Sequence, residues 1–289
     1  MKRLVIFALC SLSTLLFSVE TNRLPGYRAT YFMHTIDADQ LYIGPAKTRK
    51  GSCSFGDTKL ATVFGPIESK NYSANLIAGV RNMYVHLSDK IKPSNTQYAI
   101  LGAAGLYKGS NRWLWTANFT VQPELTQPSL KRHTRYVGLV EGIFSWTEQT
   151  SAHVGAYTEL GMRTTKLKPL LGLSHTTENW KYQAVYPIKA GITYKGFTKG
   201  LLSLMARPFS ATVKTDKALS HRPATVRYRA TGIELRYDYL ITTKCDIYLG
   251  VGSTLSSKLF IGDARNNHRH SLRIEKTPYA FLGVTAAIR

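Results

Sequence analysis

After its first 17 residues, the sequence lacks any hydrophobic run that would form a transmembrane helix. Such a helix needs about 20 consecutive apolar residues. One of the most apolar later segments, Ile100 to Tyr107, is short and contains two glycines. These features argue against a helical membrane protein.

Acidic residues are scarce: the chain has 17 Asp and Glu against 38 Lys and Arg. A cationic surplus favours anionic partners. For an exported chain we expect membrane lipids and lipopolysaccharide-like anions rather than nucleic acid. The alternative, that the excess only decorates loops and turns, stays open.

The N-terminus has the pattern of a secretory signal peptide. Met1, Lys2 and Arg3 precede the apolar run from Leu4 to Phe17, and Ser18 is small enough for the cleavage position. We therefore expect residues 1–18 to be removed and residues 19–289 to form a single β-barrel domain, a length that all-β barrels reach undivided.

Cysteine is rare, with three residues in the whole chain. Cys10 lies in the predicted signal peptide, which leaves Cys53 and Cys245 in a compartment that permits disulfides. Both fall on predicted strands far apart in sequence. Two separate thiols are favoured over a bridge, and the pairing is left open.

The positive signal in the sequence is a period of two, which predicts half-buried β-strands. Between Asn111 and Leu125, apolar residues alternate with polar ones; the apolar set is Trp113, Trp115, Ala117, Phe119 and Val121. The segment from Gly232 to Leu240 repeats the pattern. Its apolar residues are Ile233, Leu235, Tyr237 and Tyr239. Successive strand side chains point to opposite faces, so one face is apolar and the other polar.

Short turns alternate with longer polar stretches, as in up-and-down barrels. Soluble β-sandwiches also alternate, but here aromatic residues sit at predicted strand ends, where membrane barrels carry aromatic girdles. The residues concerned are Trp113, Trp146, Trp180 and Tyr279. The prediction is a transmembrane antiparallel up-and-down β-barrel of roughly 12 strands, within a range of 10 to 14.

Charged residues on the predicted strand faces are the candidate site residues. A basic side chain facing lipid at mid-membrane costs roughly 2 to 4 kcal/mol, so these residues should face the lumen. The candidates are Glu141, Glu159, Arg163, Arg227, Arg229, Glu234, Arg236 and Asp238. The direction of Glu141 is ambiguous because its face mixes polar and apolar residues. A polar core that plugs the barrel is favoured over an open pore.

No motif in the sequence supplies a nucleophile with a base, a phosphate loop or a metal site. His268-Arg269-His270 fits a solvated loop better than a metal ligand pair, and Asp37-Ala38-Asp39 fits a polar turn better than a calcium site. We expect no catalytic residue, no cofactor and no enzymatic activity. An outer-membrane hydrolase remains a minor hypothesis.

Three motifs carry a resemblance to a known family. They are Pro169-Leu170-Leu171-Gly172-Leu173-Ser174-His175, then Asn179-Trp180-Lys181, then Tyr186-Pro187-Ile188-Lys189-Ala190-Gly191-Ile192-Thr193-Tyr194. In these the chain resembles an uncharacterised family of predicted outer-membrane β-barrels, a domain of unknown function. The resemblance implies a fold and a location in the outer membrane of a Gram-negative-type envelope. It implies no activity.

The outer-membrane assembly machinery is the partner that such a location requires. Barrels of this type usually finish on an aromatic residue that the machinery reads, whereas this chain finishes on Arg289. The functional expectation is a structural barrel or a narrow passive channel for small solutes, anionic ones included. The alternative is a soluble periplasmic β-barrel that binds an apolar or anionic ligand.

Overall fold

The chain is built from β-strands throughout its described residues. The computed structural model describes residues 27–38, 41–42, 53–87, 91–125, 134–161, 164–215, 224–242, 245–263, 269–274 and 276–288. The strands are β1 (Tyr27–Ala38), β2 (Leu41–Tyr42), β3 (Cys53–Glu68), β4 (Tyr72–Leu87), β5 (Ile91–Lys108), β6 (Trp113–Pro123), β7 (Thr134–Ser145), β8 (Thr150–Gly161), β9 (Thr164–Thr176), β10 (Trp180–Tyr186), β11 (Lys189–Phe197), β12 (Gly200–Thr215), β13 (Ala224–Thr242), β14 (Cys245–Asp263), β15 (Arg269–Ile274) and β16 (Pro278–Ile288). No helix in these ranges is long and apolar enough to cross a membrane.

Fourteen of these strands form a closed antiparallel ring, which we call the wall. Consecutive strands from β3 to β14 pair with one another, β1 joins β3 to β16, and β16 pairs with β14. The additional pairing of β13 with β14 closes the circle. The predicted all-β up-and-down barrel is confirmed, and its 14 wall strands lie at the upper limit of the expected range of 10 to 14 around a central value of roughly 12.

The strand count was underestimated partly because one predicted strand is two. The sequence favours a single strand from Trp180 to Tyr194, but β10 ends at Tyr186 and β11 begins at Lys189. Pro187 and Ile188 form the turn between them. Proline has no backbone N–H for a central ladder, so it fits a turn better than a continuous strand.

The two ends of the barrel differ in the length of their connections. One end, which we call the short-turn end, carries described turns of two to four residues: Ser69–Asn71, Gly109–Arg112, Trp146–Gln149, Thr177–Asn179 and Thr198–Lys199. It also holds the start of β1 and the end of β16, because Tyr27 pairs with Ile288. The longer connections, such as residues 124–133 between β6 and β7 and residues 216–223 between β12 and β13, lie at the opposite end, the loop end. That end also has the two-residue turn Pro187–Ile188. This asymmetry is typical of membrane barrels.

The two remaining cysteines lie at opposite ends of the wall. Cys53 pairs with Ala38 at the loop end, and Cys245 pairs with Thr242 at the short-turn end. Cys245 is a free thiol. A bridge between the two is therefore excluded, since disulfide-linked Cα atoms lie within about 7 Å.

The outer face of the wall is a continuous apolar surface. Large exposed hydrophobic residues occur on the outward positions of most wall strands and include Phe64, Leu76, Val80, Leu101, Phe119, Val140, Val154, Leu171, Leu173, Ile192, Leu204, Leu249, Val251 and Leu282. Soluble monomers rarely expose apolar patches larger than a few hundred Å². Such a surface is suited to contact with lipid chains.

Aromatic side chains form a belt along part of the short-turn end. Trp113 stacks on Trp115 with ring centroids 5.5 Å apart, and Trp180 contacts Tyr194 at 4.8 Å. Further ring contacts continue through Phe144, Trp146, Tyr182, Phe197, Tyr237 and Tyr239. Trp113, Trp146 and Trp180 thus occupy the predicted strand-end positions, which suit a membrane interface.

Tyr279 is not part of this belt, and its assignment to a girdle was wrong. Its ring is buried on the inner face, where Gly232 and Gly252 leave room: a Cβ built on Gly232 would lie 2.4 Å from the Tyr279 Oη atom. An aromatic ring laid over strand glycines restores the packing that those glycines lack. The sequence pattern missed this because the glycines lie on neighbouring strands.

The loop-end halves of three strands leave the wall and form a second layer. β12 pairs with β11 only as far as Ala206, yet it continues to Thr215 paired with β13 alone. It contacts β4 and β5 across the ring, where the Tyr98 Oη donates to the Thr212 carbonyl oxygen at 2.8 Å. We call residues 208–215, 224–231 and 256–263, together with β15 and β2, the inner sheet.

The strand β15 corrects another expectation. The polar stretch from Gly262 to Arg273 is predicted as a surface loop, but β14 runs to Asp263 and β15 pairs with it from Arg269 onward. Towards the loop end, β14 therefore pairs with β15 instead of with its wall partner β16. Tertiary pairing overrides the polar composition, since strand preference depends strongly on context.

Cysteine labelling checks which face of β13 meets lipid. Leu235 is exposed on the outer face and Glu234 is buried inside. In a background with Cys53→Ser and Cys245→Ser, we expect Leu235→Cys to react with a membrane-confined probe and Glu234→Cys to remain unlabelled. The reverse pattern would mean a register shifted by one residue, which exchanges the two faces.

Candidate functional site

A cavity with a strongly charged lining lies between the wall and the inner sheet. Its volume is about 820 Å³, within the range of small-molecule sites. Its charged lining consists of eight cations and two carboxylates: Lys59, Arg81, Arg135, Lys166, Lys168, Arg207, Arg229, Lys258, Asp57 and Glu159.

Two ion-pair groups line the wall side of this cavity. The Arg81 guanidinium donates to Asp57 with Nη2 2.5 Å from Oδ2, on the neighbouring strand β3. Glu159 on β8 binds Arg135 on β7, with 3.1 Å between Nη2 and Oε1, and Lys166 on β9. Glu159 is only 2% exposed. Buried charges persist when they are paired in this way.

Four lining cations are not neutralised by the described carboxylates. In the part of the chain that the structure covers, Lys59, Lys168, Arg229 and Lys258 form no ion pair. Two of them instead lie over aromatic rings: Lys168 is 5.7 Å from the Tyr186 centroid, and Arg229 is 5.2 Å from the Phe260 centroid. The cavity therefore carries an excess of positive charge.

Two arginines also keep buried donors without partners. Arg135 is 8% exposed, and its Nε and Nη1 atoms are buried without a hydrogen-bond partner; the same holds for the Nε of Arg229. An unsatisfied buried donor costs about 1 to 3 kcal/mol, more when charged. Water or an anion in the cavity would satisfy these groups.

Gly161 shapes the wall beside Arg135. It pairs with Arg135 across β7 and β8 and has φ +89°, a conformation that favours glycine. A Cβ at this position would lie 2.0 Å from the Thr134 carbonyl oxygen. A larger residue would therefore displace the strand that carries Arg135.

A second charged cluster lies on the inner face beside the cavity. Glu234 is 1% exposed and forms an ion pair with Arg207, with 2.8 Å between Oε1 and Nε. Its Oε2 accepts a hydrogen bond from the Tyr279 Oη at 3.2 Å. Next to it, the Arg236 Nε donates to Asp238 Oδ1 at 2.9 Å. The Arg236 guanidinium also stacks over Tyr248, 4.0 Å from the ring centroid.

Glu141, whose direction was ambiguous in the sequence, belongs to a third group. Its Oε1 lies 2.7 Å from His153 Nδ1, and His153 Nε2 lies 2.9 Å from Ser174 Oγ. The three residues sit on β7, β8 and β9. Glu141 therefore points inward, towards a polar chain that is separate from the lining of the cavity.

The candidate residues thus divide among several places. Glu159 and Arg229 line the cavity, and Arg227 lies close enough to Glu159 and Lys166 for their charges to interact. Glu234, Arg236 and Asp238 form the neighbouring cluster. Arg163 lies outside the described residues.

The sequence did not reveal most of the charged residues on the wall side of the cavity. Asp57, Arg81, Arg135 and Lys166 were not candidates. The predicted strands from Ser52 to Phe64 and from Thr134 to Trp146 contain Asp57 and Arg135, whereas the predicted strands from Tyr72 to Val80 and from Lys168 to His175 stop short of Arg81 and Lys166. Each of the four residues sits alone in a mainly apolar or mixed segment, and they meet only through cross-strand pairing, such as Glu159 with Lys166. A search for opposite charges at matching heights on neighbouring hairpins would have found that pair.

The two sequence segments considered for metal binding, His268-Arg269-His270 and Asp37-Ala38-Asp39, do not form a metal site among the described residues. Among the described residues no group of three His, Cys, Asp or Glu side chains is placed to hold a metal ion. His268 and Asp39 lie outside the described residues, whereas His270 lies in β15 and Asp37 in β1. Asp37 is thus a strand residue rather than part of the predicted polar turn.

The comparisons with known proteins concern the fold. No protein-family model matches the chain, and no curated protein matches it significantly. The chain is similar to the solved structure of the COG4313 outer membrane channel from Pseudomonas putida F1, at 10% identity over 92% of this chain and 99% of that chain, with a TM-score of 0.50. The P. putida toluene transporter TodX aligns at 9% identity over 92% of this chain and 91% of that chain, with a TM-score of 0.41.

The fold is that of an outer-membrane β-barrel. The closed antiparallel ring, the apolar outer face and the likeness to the P. putida channel agree on this point. At 10% identity the likeness concerns the fold alone. Membership of the particular uncharacterised family stays a prediction.

Proposed function

We propose that the protein resides in the outer membrane of a Gram-negative-type envelope and forms a narrow passage that prefers small anions. The cationic cavity between the wall and the inner sheet carries this proposal. Its uncompensated cations raise the local concentration of anions, and the low-dielectric wall strengthens that effect. Membrane lipids, lipopolysaccharide-like anions and the outer-membrane assembly machinery are the partners that this location requires.

The apolar outer face favours this proposal over a soluble periplasmic barrel. Trp115, Phe119, Ile233 and Leu235 are all exposed on the outside of the wall. A soluble ligand-binding barrel would turn such residues inward or cover them. The expectation that the protein is no enzyme stays a prediction.

A barrel closed by its own inner sheet is the second candidate. The observation that favours it is the contact of β12 with β5 across the lumen, through Tyr98 and Thr212. Such a barrel would have a structural role. It differs from the first candidate in carrying no ionic current.

Reversal potentials in a planar bilayer test the two candidates. Under a salt gradient we expect an anion-selective sign, which weakens at high salt because the Debye length shortens. Lys168→Glu and Lys258→Glu should shift the potential towards cations, whereas Lys108→Glu, outside the cavity lining, should leave it unchanged. Cation selectivity of the wild type would contradict the electrostatic argument, and absence of current would support the closed barrel.

A further inference from the structure

We propose that the cavity is a saturable binding site for an anion of the phosphate type that carries at least two negative charges. This inference rests on the proposed barrel but needs no ionic current. The site has two sides: Lys59, Arg135 and Lys168 belong to the wall, while Arg229 and Lys258 belong to the inner sheet. A ligand held between them joins the two layers.

The two sides are close enough to act together. Lys166 on the wall interacts electrostatically with Arg227 and Arg229 on the inner sheet. Like charges that face each other across a cavity repel. An anion between them lowers this repulsion and so stabilises the packing of the inner sheet against the wall. The carboxylate of Glu159 forms ion pairs with Arg135 and Lys166 and also attracts Arg227, which leaves Arg229 and Lys258 on the inner sheet for a ligand.

Arg135 is the anchor of the site. It is 8% exposed, one guanidinium nitrogen binds Glu159, and its Nε and Nη1 atoms are buried without partners. A guanidinium presents its donors in a planar fork that matches phosphate or carboxylate oxygens. The Nε of Arg229 offers a further unpartnered donor from the opposite side.

A gap in the wall beside the cavity bears on the source of the anion. β9 pairs with β10 only as far as Leu171 opposite Tyr186, so the loop-end half of β9 has no neighbour on that side among the described strands. Leu167, Leu171 and Tyr186 are exposed there, and Lys168 reaches over Tyr186. A phosphate group in the cavity is therefore compatible with a free solute or with the headgroup of a lipid whose chain lies outside.

Calorimetric titration of the full chain in detergent, with pyrophosphate as the probe, tests the site. We expect saturable binding with one site per chain. Loss of a charged donor should weaken the affinity by about tenfold or more in Arg135→Gln and in Arg229→Gln. Arg229 has no carboxylate partner among the described residues, so its removal leaves no acid unpaired. Arg112→Gln, in an exposed turn, is the matched control and should bind like the wild type.

Methyl phosphate and hexyl phosphate distinguish the two sources. Equal affinities indicate a free anion, and a hexyl phosphate affinity about tenfold higher or more indicates a lipid headgroup with its chain in the wall gap. Absence of saturable binding to the wild type, or unchanged binding in both arginine variants, would overturn the site. Anion-selective current without saturable binding would overturn the site alone, and binding without current would leave the site standing while the passage fails.

Discussion

Replacement of Glu234 by alanine is expected to destabilise the barrel by about 3 to 5 kcal/mol, the usual cost of removing one partner from a buried ion pair. Glu234 is 1% exposed, forms an ion pair with Arg207 and accepts a hydrogen bond from Tyr279. Its loss leaves the Arg207 guanidinium without its carboxylate in the wall. Urea unfolding of the protein in lipid vesicles, followed by tryptophan fluorescence, measures the change.

The controls separate the ion pair from a general effect of truncation. Glu148→Ala, in the exposed turn between β7 and β8, should change the free energy of unfolding by less than about 0.5 kcal/mol. The double variant Glu234→Ala/Arg207→Ala should be less destabilised than the sum of the two single variants, since neither charge remains alone. If Glu234→Ala lowered the free energy of unfolding no more than Glu148→Ala does, water would already solvate the ion pair between Glu234 and Arg207.

Most of the wall was predictable from the sequence, because each wall strand carries its own period-two pattern. The apolar residues between Trp113 and Val121 and between Ile233 and Tyr239 fall on one face, and the structure places the largest of them on the outside. Alternation is a local property, so it survives without knowledge of the neighbouring strands. The split of β10 from β11 was missed because Pro187 interrupts a segment whose pattern otherwise continues.

The inner sheet was not predictable, because it depends on which strand pairs with which. Arg227 and Arg229 have odd numbers, whereas Glu234 and Arg236 have even ones, so in a regular strand the two pairs would face opposite ways. β13 keeps this alternation, because its register with β12 is unbroken through Thr231 and Gly232. The extra residue at this height lies in β14, where Leu255 falls between the partners of Gly232 and Thr231. Beyond this point the strands leave the wall for the inner sheet, so the odd-numbered face brings Arg229 to the cavity while Val226 and Tyr228 on the other face are buried. Nothing local in the sequence marks that point.

Removal of the inner sheet, except for the two-residue strand β2, is expected to raise the single-channel conductance several-fold and to reduce the preference for anions. The design replaces residues 208–231 and residues 255–276 each by an Asn-Gly dipeptide, the preferred two-residue turn of a β-hairpin. Arg207 pairs with Gly232, and the Thr254 N–H donates to the Thr277 carbonyl oxygen at 3.0 Å, so both new turns join residues that are already neighbours at one height of the wall. All fourteen wall strands remain, and Arg229 and Lys258 are lost from the lumen.

Heat-modifiable migration on gels shows whether the shortened chain still closes into a barrel, and planar-bilayer recording then gives its conductance. The control carries the same dipeptide at the other end of the molecule, as Thr198→Asn/Lys199→Gly in the turn between β11 and β12, and should conduct like the wild type. An intact shortened barrel with unchanged conductance would place the constriction elsewhere. A large rise means instead that the layer joined to β5 through Tyr98 and Thr212 limits the current, because no other wall contact has been altered. In that case the cations that select the ion and the sheet that narrows its path belong to the same segments of β13 and β14.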